Sequence, residues 1–119
     1  MNRILIKNAT IINENNTFLG DVLIENEFIK QVAADIKNDE TTQIIDAKGR
    51  YLIPGFIDDQ VHFREPGLTH KATIATESKA AAAGGITSFI EQPNTVPNAT
   101  TQKLLEDKFE IASKTSFVN

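Results

Sequence analysis

The chain has 119 residues, 40% of them hydrophobic, so it can bury the core of one domain. Its formal net charge is −4, with acidic and basic residues interspersed, which leaves no basic stripe for a nucleic-acid partner. The lack of cysteine excludes disulfides, thiolate metal sites and cysteine nucleophiles.

The sequence pattern reveals no targeting segment. The apolar run Ile4-Leu5-Ile6 near the N-terminus is too short for a signal peptide. No segment comes near the roughly 18 consecutive apolar residues that indicate a membrane span. Together with the lack of cysteine, which fits a reducing compartment, this predicts a cytoplasmic protein with no membrane partner.

Residues 1–53 are predicted to form a β-rich domain. Short β-branched runs lie within Arg3 to Ile12 and within Asp21 to Ala33, and turn-forming residues such as Gly20 separate them. Runs with such breaks are typical of antiparallel strands joined by hairpins. A further strand is predicted from Thr42 to Ile45.

From Pro54 onward, strands and helices are predicted to alternate. Two strands and two helices follow in chain order, at Phe56–Val61, Thr73–Ala83, Ile86–Glu91 and Thr101–Ala112. The apolar run from Ser116 to Asn119 has the character of a third strand beginning. An alternating order of this kind implies parallel strands joined by right-handed crossovers, hence an α/β arrangement.

Polar side chains follow the first of these strands. The apolar run from Gly55 to Ile57 is expected to enter a core, and Gln60, His62 and Arg64 occupy alternate positions after it. Residues two apart on a strand share a face, so these three side chains are predicted to point the same way. Unpaired polar groups are costly inside a core, which favours a functional site at the strand end.

These residues carry a specific resemblance. The run from Pro54 to Gly67, P-G-F-I-D-D-Q-V-H-F-R-E-P-G, resembles the first metal-binding segment of the amidohydrolase superfamily, Asp-x-His-x-His, and its F-R-E-P-G resembles dihydroorotase in particular. The run from Ala80 to Thr95 is similar to the dihydroorotase segment that ends in Pro-Asn-Thr. The segment from Asp46 to Gly55 resembles the usual approach to the first barrel strand.

The resemblance implies a fold and an activity. It implies a partial β-sandwich over residues 1–53 and the first two βα units of an incomplete TIM-type (β/α)8 barrel over residues 54–119. Because such a barrel needs roughly 250 residues, the chain is expected to be the truncated N-terminal part of the enzyme. The complete enzyme would be a metal-dependent hydrolase that interconverts N-carbamoyl-L-aspartate and dihydroorotate in pyrimidine biosynthesis, through a metal-bound hydroxide.

The resemblance also implies metal-site residues. His62 and Gln60 fall at metal positions, but Gln60 stands where the family has its first His. A neutral amide oxygen is a weaker zinc ligand than imidazole, so the zinc of the complete site is expected to be weak or absent in this chain. Asp58 is expected to orient His62 or to hold the strand end. From residue type alone, His62 could instead be satisfied by a backbone carbonyl. No catalytic residue is expected in this chain, which should be inactive alone.

Arg64 and Asn94 match the family positions that hold the carboxylate of the small-molecule substrate. Each has a structural alternative. Arg64 could form a surface ion pair with Glu65 or Asp58, and Asn94 could set a turn between two prolines. His70 is expected to be a solvated surface histidine.

Two functional alternatives and one partner remain open. An allantoinase or hydantoinase shares the fold and the metal chemistry, although F-R-E-P-G, P-N-T and Arg64 favour dihydroorotase. Gln60 motivates a non-catalytic dihydroorotase-like subunit that acts as a structural partner of aspartate carbamoyltransferase. Apolar residues of the second half have no complete core to enter, so self-association of the chain is expected.

Overall fold

The computed structural model describes residues 2–39 and 41–119. The chain divides into two compact units, Met1–Pro54 and Gly55–Asn119. The elements are, in chain order, β1 Arg3–Asn13, β2 Asn16–Glu25, β3 Phe28–Ala33, β4 Gln43–Asp46, β5 Tyr51–Leu52, β6 Phe56–Val61, α1 Ile74–Ala83, β7 Ile86–Glu91 and α2 Gln102–Thr115. None of the helices in the described ranges combines the length and hydrophobicity that crossing a membrane requires.

The first unit contains one five-stranded sheet with the order β3-β2-β1-β4, and β5 also pairs with β1. The pairs β1–β2 and β2–β3 are antiparallel, as predicted for this part of the chain. Strands β4 and β5 are instead parallel to β1, because the chain crosses back to the far side of β1 after β3. The described part is therefore a mixed sheet.

Gly20 was predicted to separate two strands. It lies instead within β2, where it is buried. A Cβ atom at this position would lie 2.8 Å from the backbone oxygen of Ala33. Glycine therefore lets β2 approach the end of β3 closely while the strand continues. The prediction was wrong because glycine occurs both in turns and within strands at positions where another backbone approaches closely.

Apolar residues cover both faces of this sheet. Two clusters form the core, one of Leu5, Leu23 and Ile36 and the other of Ala9, Ile11 and Val22. Neighbouring residues of a strand point to opposite faces, so Val22 and Leu23 belong to different clusters. A register shift in β1 between Ile6 and Ala9 changes which residues face each cluster.

Asp21 is a buried carboxylate that ties three parts of the first unit together. It accepts the backbone N–H groups of Asn8 and Ile36, each at 2.9 Å, and its Oδ2 lies 3.2 Å from Lys7 Nζ. Burial raises the pKa of the Asp21 carboxyl, but the N–H groups of Ile36 and Asn8 and the Lys7 ammonium outweigh burial and lower it below 3.8. Satisfied in this way, the charge holds the β1 irregularity against the segment after β3.

We expect the first unit to lose stability in acid because of Asp21. A carboxyl whose pKa is lowered by folding contributes stability above its ordinary pKa of 3.8, and this contribution disappears as the pH falls through the lower folded value. The urea concentration at the unfolding midpoint, measured by circular dichroism, should decrease as the pH is lowered below 3.8. In Asp21→Asn this decrease should be smaller. Asp35→Asn is the control, since Asp35 contacts the same Lys7 but is exposed. An unchanged acid profile in Asp21→Asn would contradict this assignment.

The second unit has two parallel strands and two helices. Strands β6 and β7 pair in parallel and have the predicted bounds. Each helix begins after a threonine whose side chain accepts a backbone N–H three residues on, Thr73 for α1 and Thr101 for α2. Helix α1 ends at Ala83 as predicted, with Gly84 as its C-cap, and α2 begins one residue later and ends three residues later than predicted.

The segment after α2 forms no strand, but its last residue pairs with β7. Asn119 donates its N–H to the Thr87 carbonyl at 3.0 Å and accepts the Phe89 N–H at 2.8 Å. This is the hydrogen-bonding pattern of a parallel bridge. The Phe117 N–H donates to the buried Ser78 hydroxyl of α1 at 3.1 Å. The predicted third strand is therefore represented by a single bridge.

The apolar run that opens β6 is not buried, contrary to prediction. Phe56 is 58% exposed and Ile57 is 69% exposed. The reason is that β6 pairs with β7 alone among the strands of the described ranges, so one of its edges and part of its surface stay uncovered. Other large apolar side chains of this unit are also exposed, namely Ile90, Val96, Leu105, Phe109 and Phe117.

We expect these exposed side chains to drive self-association. Fully burying a large apolar side chain stabilises an assembly by about 1.5–3 kcal/mol. Phe109→Ser should therefore raise the dissociation constant of the self-associated chain by about tenfold or more. Sedimentation velocity over a range of concentrations measures this. Glu106→Ser, on the same exposed helix, is the control. A chain that remains monomeric at high concentration would show that the exposed surface does not associate.

Candidate functional site

The candidate site lies where β6 ends and the following segment turns away. Strand β6 ends at Val61, so only Gln60 of the three predicted residues is in the strand. His62 and Arg64 lie beyond it, and Arg64 has a left-handed backbone with a φ of 69°. The prediction that all three alternate along one strand was wrong, because the pairing of β6 with β7 ends at Val61 and the backbone of Arg64 is not extended.

Phe63 anchors this segment between the two polar residues. It is 7% exposed, and its ring centroid lies 4.5 Å from that of Phe89 in β7. Burial of this ring fixes the backbone on either side of it. His62, in contrast, is exposed, and Arg64 is half-buried.

The segment after β6 packs directly on the loop after β7. The Val96 N–H donates to the Pro66 carbonyl at 3.1 Å. Gly67 has a φ of 81°, and a Cβ atom there would lie 2.0 Å from the Val96 carbonyl oxygen. Glycine is required at this position both by its backbone conformation and by the space available. The two motifs are therefore neighbours in the fold.

His62 and Asn94 are joined by a hydrogen bond of 2.9 Å between Nδ1 and Oδ1. With the amide oxygen facing the ring, His62 Nδ1 must carry the proton, because an amide oxygen only accepts. In a neutral imidazole with this tautomer, Nε2 has a free lone pair. Asp58 was expected to orient His62 or to hold the strand end. Its carboxylate accepts the Gln60 N–H at 3.1 Å, which agrees with the second alternative, and Asn94 is the residue that contacts the His62 ring.

Arg64 forms no ion pair in the part of the chain that the structure describes. The carboxylate of Glu65 accepts the Ile74 N–H at 2.8 Å, at the start of α1. A negative group is favoured there by the helix dipole. An ion pair of Arg64 with Glu65 or Asp58 is therefore not observed in the described residues. His70 is exposed, as expected.

The described residues provide too few ligands for a zinc ion. His62 Nε2 and the Gln60 amide are two donors, whereas zinc sites use three or four protein ligands. In residues 2–39 and 41–119, no three His, Cys, Asp or Glu side chains converge to hold a metal ion. The donor set of this chain therefore does not fit a complete zinc site, although the imidazole by itself is a suitable ligand.

A buried ion pair beside this site was not predicted. Lys108 Nζ, in α2, lies 2.6 Å from Glu91 Oε2 at the end of β7 and donates to the Gln92 carbonyl at 3.1 Å. Both side chains are more than nine-tenths buried. Lys108 lies four residues after Leu104 and four before Ala112, on the apolar stripe of α2. A charged residue at this spacing is the sequence signal that could have identified it.

Comparisons with known proteins agree with these motifs. A family model described as "Dihydro-orotase-like" matches residues 49–119. The dihydroorotase of Methanosarcina mazei is 43% identical over 114 residues, covering 96% of this chain and 25% of the relative. The dihydroorotase of Lactococcus lactis is 43% identical over 113 residues, covering 93% and 26%. The chain thus spans about a quarter of the relatives' length.

Solved structures show the same fold in related hydrolases. An L-hydantoinase (dihydropyrimidinase) from Arthrobacter aurescens matches with a TM-score of 0.93 and 29% identity, over 100% of this chain and 27% of that one. A D-hydantoinase (dihydropyrimidinase) from Thermus sp. matches with a TM-score of 0.81 and 32% identity, over 98% of this chain and 26% of that one. Fold and site thus define an amidohydrolase-type chain. It belongs to the dihydroorotase-like family.

We expect the isolated chain not to retain stoichiometric zinc. Two donors, one of them neutral, hold the ion too weakly to survive dialysis. Elemental analysis of the chain after incubation with zinc and dialysis should give well below one zinc ion per chain. His62→Ala should have the same zinc content, and His70→Ala is the second reference. One zinc per chain that is lost only in His62→Ala would contradict this expectation.

Proposed function

We propose that the chain is part of a dihydroorotase, which interconverts N-carbamoyl-L-aspartate and dihydroorotate in cytoplasmic pyrimidine biosynthesis. The observation that carries the proposal is the contact between the F-R-E-P-G segment and the Pro-Asn-Thr loop, which joins His62 to Asn94 and leaves Arg64 without an ion pair. The identities of 42–43% to dihydroorotases support this substrate class.

Arg64 and Asn94 are proposed to bind the substrate carboxylate. The guanidinium of Arg64 is a planar fork that suits a carboxylate. Because the Asn94 oxygen faces His62, its amide NH2 group is left with two donors. Both residues therefore offer hydrogen-bond donors, which is what a carboxylate requires. The positive charge of Arg64 and the neutral donors of Asn94 would together bind the anionic substrate.

His62 and Gln60 are proposed as the contribution of this segment to a zinc site. The lone pair on His62 Nε2 and the amide oxygen of Gln60 are the available donors. They are not sufficient, so the other ligands would have to come from outside the described residues. The catalytic residues would come from there as well, and this chain alone would be inactive.

The proposed function also gives a place for each unit in the complete enzyme. Residues 1–53 are proposed as part of a β-sandwich domain. Residues 54–119 are proposed as the first two βα units of a TIM-type (β/α)8 barrel, and the TM-score of 0.93 to the L-hydantoinase supports this assignment. In such barrels, active sites lie at the C-terminal ends of the strands, where His62 and Asn94 are found.

The hydantoinase structures support a second candidate, a cyclic amide hydrolase of hydantoinase type. Their TM-scores are high, but their identities of 29–32% are lower than those of the dihydroorotases. A hydantoin ring carries no carboxylate, so it would not use the donors of Arg64 and Asn94. Turnover of dihydroorotate but not of hydantoin by the complete enzyme would decide between the two.

In the complete enzyme, Arg64→Ala should lower kcat/KM for dihydroorotate by about 10–150-fold, because a hydrogen bond to a charged group contributes about 1.5–3 kcal/mol. The melting temperature should change little. Ring opening followed by ultraviolet absorbance measures the first effect, and calorimetry the second. Arg50→Ala, an exposed arginine of the first unit, is the control. A sharp fall in melting temperature with unchanged kcat/KM would make Arg64 structural.

A further inference from the structure

Lys108 is the one buried lysine in the described part of the chain, and its contacts converge on one place. Its ammonium group contacts the Glu91 carboxylate at 2.6 Å and the Gln92 carbonyl at 3.1 Å. Glu91 is the last residue of β7, and Gln92 is the first residue of the loop that carries Asn94. Lys108 therefore links α2 to the point where this loop begins.

The same loop is held at a second point, beyond Asn94. The Val96 N–H donates to the Pro66 carbonyl at 3.1 Å. Asn94 thus lies between two fixed points, one set by Lys108 and the other by the segment after β6. Its own side chain reaches His62 across this short span. A shift of the loop start would move the Asn94 amide relative to the imidazole.

Other lysines of the same helix show that the Lys108 contacts are unusual. Lys103 and Lys114 pair with Asp107 and Glu110, respectively, four residues away on α2 itself, and both lysines are largely exposed. Their ion pairs connect α2 only to itself. Lys108 instead reaches another element with a charge that is expensive to bury.

The arrangement is costly for stability. Glu91 Oε1 is buried and has no hydrogen-bond partner in the described chain. Replacing such a buried ion pair by apolar residues of similar size is often neutral or stabilising. Stability alone therefore does not account for the pair, whereas a geometric role at the loop start does.

We propose that Lys108 and Glu91 are a positioning pair that holds the Asn94 amide against His62 and so fixes the tautomer of the imidazole. This deepens the proposed function, on which it rests for the role of His62 and Asn94. Neither residue of the pair contacts the imidazole. They act through the backbone at Gln92, which sets where the loop begins.

The test reads the His62 ring directly by ¹⁵N NMR. The chain has two histidines, so His70→Gln assigns the signals. The spectra are recorded at alkaline pH, where an imidazole is neutral. In the wild-type chain, the proton of the His62 ring should then lie on Nδ1, which faces the Asn94 oxygen. In the double variant Glu91→Leu/Lys108→Met, which removes both charges, the ring should become a mixture of tautomers, with a several-fold loss of the Nδ1–H form. The far-ultraviolet spectrum and melting temperature should stay close to wild type.

Three further variants complete the comparison. Lys103→Met removes an exposed lysine of the same helix and should leave the His62 signals unchanged. Lys108→Arg can keep both contacts and should restore the wild-type tautomer. Asn94→Ala should produce the tautomer mixture without any change in α2.

Each outcome decides the question. A folded double variant that retains the Nδ1–H form of His62 would overturn the proposal. Loss of the cooperative fold in the double variant would overturn it as well, since the pair would then support the whole unit rather than the loop. The measurement uses no substrate, so failure of the complete enzyme to turn over dihydroorotate would refute the proposed function and leave this result standing.

Discussion

The candidate site depends on the close approach of two loops at Gly67 and Val96. The backbone of Val96 occupies the space that any side chain at Gly67 would need, and its N–H bonds the Pro66 carbonyl. Without this approach, the segment after β6 and the loop after β7 would separate, and His62 and Asn94 could not share a hydrogen bond of 2.9 Å. A single position without a Cβ atom thus determines whether the two motifs form one site.

Parallel pairing of β6 and β7 makes this approach possible. Two parallel strands end at the same edge of a sheet, so the segments that follow them are brought together. Helix α1 lies between the strands in sequence, and Glu65 fixes its first turn by accepting the Ile74 N–H at 2.8 Å. One short segment therefore supplies His62 and Arg64 and also starts the helix that returns the chain to β7.

Local signals could be predicted from the sequence, and long-range ones could not. The bounds of β6 and β7 follow from the hydrophobic pattern and were predicted. The threonine caps are also local signals, although Thr73 and Thr101 were assigned to the helices themselves. The burial of Asp21 and Lys108 depends on partners in other elements. Lys108 has a local sequence signal, its position on the apolar stripe of α2, but that position does not identify Glu91 as its partner. The exposure of Phe56 is a further example, since burial depends on what packs against a strand.

At Arg64, contacts of neighbouring residues override the backbone preference of a residue that has a Cβ atom. The left-handed conformation costs a residue with a Cβ atom about 1–2 kcal/mol, and glycine would avoid this cost. Asparagine accounts for three of the other non-glycine residues with positive φ in the described ranges, and it tolerates this conformation better than arginine. Two neighbours impose the conformation, because Phe63 is buried against β7 and Glu65 is bonded to α1. The burial of Phe63 and the Glu65–Ile74 hydrogen bond therefore offset the strain at Arg64, since its side chain forms no ion pair in the described chain that could do so.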